Sequence, residues 1–112
     1  MNPTITDALA DMGAAGQRLD AMHAVEAGAG NLSVALRDVD GLDELFPYAE
    51  LGAPLPLAVP ELAGYTILVT GSGCRLRDVA QQPTRTVSAF IIDPDGTTAT
   101  WRYHHDRTFA RP

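Results

Sequence analysis

The most constraining stretch of the chain lies near its end. Two runs rich in β-branched and aromatic residues, 87–92 and 97–103, flank Asp93-Pro94-Asp95-Gly96. Proline presets the first turn angle and Gly96 accepts a positive φ, so the chain reverses there and the two runs pair antiparallel. A two-stranded hairpin is at best marginally stable alone in water. It needs more strands, or a helix, to cover its apolar face.

The preceding residues supply both. Thr4 or Thr6 can cap a helix, and Asp7 suits its first turn. Ile5, Leu9, Met12, Leu19, Met22 and Val25 recur at three- and four-residue steps, with small residues bridging the gap from Met12 to Leu19. Gly13-Ala14-Ala15-Gly16 either admits the close approach of another backbone or breaks the helix. Ala27-Gly28-Ala29-Gly30 offers the left-handed conformation that ends it. Residues 31–37, apolar at Leu32, Val34 and Leu36, read as a half-buried strand.

Residues 40–64 hold four of the eight prolines (Pro47, Pro54, Pro56, Pro60) and read as an irregular excursion. Such long excursions commonly carry function or meet a partner. Residues 65–69 form a buried strand running into Thr70-Gly71-Ser72-Gly73, and 76–80 a short helix. The order predicts an α+β domain with an N-terminal helix packed on a mainly antiparallel sheet. A length of 112 residues fits a single domain.

Composition removes several chemistries. All eight cations are Arg, so a lysine Schiff base and a P-loop lysine are excluded. The net charge of −6 argues against a nucleic-acid partner, and the single Cys74 allows neither an internal disulfide nor a multi-cysteine zinc site. Apolar runs are too short to span a bilayer, and residues 1–20 lack the pattern of a secretory signal, so the expected location is the cytoplasm. The charge divides unevenly, at −8 over residues 1–61 and +2 over 62–112, which favours the second part for an anion.

Thr70-Gly71-Ser72-Gly73 is the best candidate site. Its glycines allow main-chain N–H groups to converge on an anion, and Thr70 and Ser72 add hydroxyl donors. Gly30-Asn31 forms a second polar turn, where Asn31 offers an amide to a ligand or fixes the turn itself. His104 and His105 are adjacent, so on a strand they point to opposite faces, and His23 has no His or Cys nearby in sequence. No serine stands in a nucleophile-elbow motif, and Cys74 reads as a small buried thiol.

The ordered set of Gly30-Asn31-Leu32-Ser33, then Leu68-Val69-Thr70-Gly71-Ser72-Gly73, then residues 87–92 with Asp93-Pro94-Asp95-Gly96, resembles the N-terminal part of the class II aldolase/adducin family. With the proline-rich excursion before Thr-Gly-Ser-Gly, it is most similar to the rhamnulose-phosphate branch. The likeness runs from about Asp7 to Pro112 and implies part of an α/β/α layered domain. It also implies that Gly30, Asn31, Thr70, Gly71, Ser72 and Gly73 hold the phosphate of a sugar phosphate or of dihydroxyacetone phosphate.

The family uses zinc to polarise the ketose carbonyl and stabilise the enediolate, which requires no lysine. Its catalytic glutamate and its His-x-His zinc ligands follow the segment matched here. The resemblance therefore implies an incomplete domain over residues 1–112, with no catalytic residue and no zinc held by this chain alone. Self-association is expected, since the family is oligomeric. The alternatives are a non-catalytic, adducin-like binding or assembly module, and another sugar-phosphate aldolase, epimerase or dehydratase of the same family.

Overall fold

A computed structural model describes residues 4–21, 32–55, 57–71 and 78–104. Helix α1 spans Ile5–Ala21. It starts where the sequence indicates, with the Thr4 hydroxyl accepting from the Asp7 N–H at 3.1 Å. The end expected near residues 27–30 lies outside the described residues. The glycines do not break α1. A Cβ at Gly13 would lie 2.7 Å from Ala80 Cα, so the missing side chain is what lets a second backbone pack against the helix.

Five strands form one antiparallel sheet in the order β1-β3-β4-β5-β2. They are β1 (Ser33–Leu36), β2 (Tyr48–Pro54), β3 (Thr66–Thr70), β4 (Val87–Ile92) and β5 (Thr98–Tyr103). Three short helices, α2 (Leu42–Leu45), α3 (Asp78–Gln81) and α4 (Pro83–Thr86), and a 3-10 turn at Pro60–Leu62 complete the described elements. The α+β class with an N-terminal helix and an antiparallel sheet is thus as expected.

Alternation along the strands gives the sheet two unlike faces. One carries Leu68 and Ala89, paired across β3 and β4, with Val34 beside Leu68 on β1. Ile5, Leu9 and Met12 of α1, Leu42 and Phe46 around α2, and Val79 of α3 complete the same core. The other face carries a row of rings across three strands. Tyr48 stacks on Tyr103 at 5.8 Å between centroids, Tyr103 meets Trp101 at 4.6 Å, and Trp101 stacks on Phe90 at 6.3 Å.

The proline-rich stretch requires a correction. Residues 40–64 are not an irregular excursion: they contribute α2, the edge strand β2 and a 3-10 turn. Pro47 precedes β2, and Pro54 is tolerated within it because β2 pairs only with β5 and an edge strand can spare an N–H. The register shifts between Glu50 and Ala53, where Gly52 has φ +70°. That irregularity breaks the two-residue alternation which would have revealed the strand. Helix α4 also went unanticipated, although Pro83 at its start is a standard helix-opening signal. Leu76 and Arg77, expected to open a short helix, lie outside the described residues, and α3 is described from Asp78.

The hairpin forms as the sequence dictates. Gly96 has φ +72°, and its N–H donates to the Asp93 carbonyl at 2.9 Å. Asp93 also accepts from the Thr98 hydroxyl at 2.6 Å and the Thr100 hydroxyl at 3.4 Å, which ties the turn to the strand that follows it.

Candidate functional site

The antiparallel pairing of β1 with β3 sets Ser33 opposite Val69 and Leu36 opposite Thr66. The start of β1 therefore lies beside the end of β3. Those ends lead directly into the two motif segments, Gly30-Asn31 and Ser72-Gly73. Gly30, Asn31, Ser72 and Gly73 themselves lie outside the described residues. Two of the six candidates, Thr70 and Gly71, are described, and both are buried.

Three contacts join Thr70 to Leu32. The Thr70 N–H donates to the Leu32 carbonyl at 3.1 Å. The Leu32 N–H donates back to Thr70 Oγ1 at 3.1 Å, so a side-chain oxygen takes the place of a ladder carbonyl. The hydroxyl in turn donates to the Leu32 carbonyl over a long 3.5 Å. Thr70 is only 1% exposed. On the other side of β3, the Gly71 N–H donates to the Thr86 carbonyl at 2.8 Å. Thr86 is itself buried, and its hydroxyl donates to the Gln82 carbonyl at 2.8 Å. The end of β3 is thereby held from both flanks.

This placement divides the six expected phosphate contacts. The main-chain donors of Thr70 and Gly71 are spent on Leu32 and Thr86, and the Thr70 hydroxyl is buried against Leu32. What those two residues do in the described geometry is fix the junction.

The arginines expected to draw an anion are partly committed elsewhere. Arg102 donates from Nε to the Phe46 carbonyl at 3.0 Å and pairs with Asp43 at 3.2 Å, which anchors the segment after α2 to β5. Arg75, Arg77, Arg107 and Arg111 lie outside the described residues. At the opposite end of β3, a cleft of about 420 Å³ is lined by Arg37, Asp38, Asp40, Asp43, Glu44 and Thr66 among others. Arg37 there donates to the Tyr65 hydroxyl at 3.1 Å and sits 5.5 Å from its ring centroid. Four carboxylates around one arginine repel an anion, so this cleft does not compete for phosphate. Most of its wall is the contiguous acidic run 37–44, closed by Gly64, Thr66 and Ile91 from β3, β4 and the turn before β3.

Among the described residues no group of three or more His, Cys, Asp or Glu could hold a metal ion. His104 follows the end of β5, and His23 and His105 lie outside the described residues. No described helix is long and apolar enough to cross a membrane. Compared with protein-family models and with curated proteins, the chain matches none.

Proposed function

We propose that the chain is a sugar-phosphate-binding unit of the class II aldolase type. In its full-length setting the reaction would be retro-aldol cleavage of L-rhamnulose 1-phosphate to dihydroxyacetone phosphate and lactaldehyde. The observation that carries the reading is the β1–β3 pairing, which sets Leu32 against Thr70. Leu32 directly follows Asn31, and Gly71 directly precedes Ser72, so motifs about forty residues apart in sequence enter the sheet side by side. An anion needs several donors converging on one point. In this proposal the Asn31 amide, the Ser72 hydroxyl and the main-chain N–H groups of Ser72 and Gly73 supply them. The chemistry assigned to this chain is binding and orientation of the phosphate.

Thermal unfolding of the full chain tests this directly. Dihydroxyacetone phosphate should raise the midpoint in a saturable way, since a ligand bound only by the folded state stabilises it by mass action. Ser72→Ala and Asn31→Ala should each remove the shift without lowering the unliganded midpoint by a comparable amount. Absence of any shift in the unsubstituted chain would leave a scaffold or assembly role, of the kind adducin has, as the better reading.

A further inference from the structure

We propose that the acidic cleft along residues 37–44 is a binding site for an aliphatic polyamine, a chain of methylenes carrying two or more ammonium groups. The cleft has a volume of about 420 Å³, and Asp38, Asp40, Asp43 and Glu44 line it. Charge alone would describe a solvated surface, and a second observation makes it a site. Thr66 lines the same cleft and is only 6% exposed. Strand alternation sets its side chain on the face of Leu68, which is the face covered by Leu42 and Phe46. Its hydroxyl meets no hydrogen-bond partner among the described residues. A buried hydroxyl calls for a partner, and an ammonium entering the cleft brings three donors.

The wall is held in place without a ligand. The Asp40 carbonyl accepts the Ile5 N–H at 2.8 Å, which ties the acidic run to α1, and Gly41 turns the chain there with φ +87°. Asp43 is paired with Arg102, whereas Asp38, Asp40 and Glu44 pair with no cation among the described residues. Arg37, the cation in the lining, is engaged by Tyr65. An adjoining hollow shares Asp40, Gly41 and Glu44 and reaches Asp7, so the negative surface is elongated. No group of three described carboxylates could hold one metal ion, so the charge is spread in a way that suits an extended cation. Val39, Leu42 and Ile91 supply apolar wall for the methylenes between the charged ends. The chain has no lysine, so neither it nor a second copy can bring a lysine ammonium to the cleft.

The experiment titrates spermidine into the full chain at fixed ionic strength, with n-butylamine and magnesium chloride as probes of a single and a compact charge. Saturable amide shifts are expected over residues 37–44 and at Gly64, Thr66 and Ile91. Spermidine should bind about tenfold more tightly than n-butylamine, since only it can meet separated carboxylates at once. Thr66→Val keeps the shape and loses the hydroxyl, so it should weaken spermidine about tenfold, and Thr66→Ser should restore the affinity. If Thr66→Val does not fold, the double variant Asp38→Asn/Glu44→Gln, at two exposed positions, carries the test and should weaken spermidine about fivefold. Asp11→Asn, which removes an exposed charge outside the cleft lining, should leave the affinity unchanged. Magnesium that displaces spermidine equally well at the same ionic strength would overturn the proposal, because the cations would then form only a diffuse atmosphere. Unchanged affinity in a folded Thr66→Val or in the double variant, or no saturable shift in the unsubstituted chain, would overturn it as well.

Discussion

The two ends of the central sheet are closed in opposite ways. At the β4–β5 turn, Asp93 accepts from hydroxyls five and seven residues away, and Asp95 accepts from an N–H two residues away. At the junction of β1 with β3, the hydrogen bond from the Leu32 N–H to Thr70 Oγ1 joins residues 38 apart in the chain. The first closure is local chemistry, complete within one short stretch. The second exists only after β1, α2, β2, a 3-10 turn and β3 itself have been placed between its halves. A local closure sets the chain reversal, whereas a non-local one can set the distance between two loops. Only the second kind can assemble a binding site from separated motifs.

Substitutions at the two ends should separate these roles. The largest effect on stability is expected at Gly96, where φ is +72° and an added Cβ would lie 2.5 Å from Pro60 Cα. Gly96→Val combines backbone strain with a main-chain clash and should cost about 3 kcal/mol in urea unfolding. Thr70→Val should cost about 2 kcal/mol, because it strands the partly buried Leu32 N–H. If Gly96→Val proved the milder of the two, the hairpin turn would not be the tighter closure.

Smaller effects follow at the turn. Asp93→Ala removes the acceptor of the Thr98 and Thr100 hydroxyls and should cost about 1 kcal/mol, with no change in phosphate affinity. A parallel loss of affinity would mean that the two ends of the sheet are coupled. The smallest effect concerns Asp95. Hydrogen bonds from the Thr97 backbone and hydroxyl hold its carboxyl below the ordinary value of 3.8. A depressed folded-state value contributes stability above the unfolded value and loses it as the pH falls through the folded one. Asp95→Asn should therefore be slightly less stable than the unsubstituted chain at neutral pH, with the gap closing below about pH 4. A gap that widens in acid would contradict the assigned cause.

The same contrast explains what could be read from the sequence. The hairpin was legible because Pro94 and Gly96 impose backbone angles without help from the rest of the chain. The start of α1 was legible because Thr4 caps it from three residues away. Strand β2 was not, since an edge position excuses Pro54 and the shift near Gly52 erases the alternation. At the candidate site the polar strand end was legible, but the contact that joins Thr70 to Leu32 was not. Glycine, serine and threonine at a strand end announce a turn with donors, and nothing local says that the Thr70 hydroxyl is consumed by Leu32. Gly13 shows the same limit. Its smallness was visible, and that it admits Ala80 was not.

The most direct measurement is an amide-resolved titration of the full chain with dihydroxyacetone phosphate. Saturable shifts confined to residues 30–33 and 70–73 are the predicted result, with residues 93–98 of the turn and 37–44 of the acidic cleft unmoved. Shifts centred on the cleft or the turn, or no saturable shift at all, would contradict the claim that the β1–β3 junction frames a phosphate site.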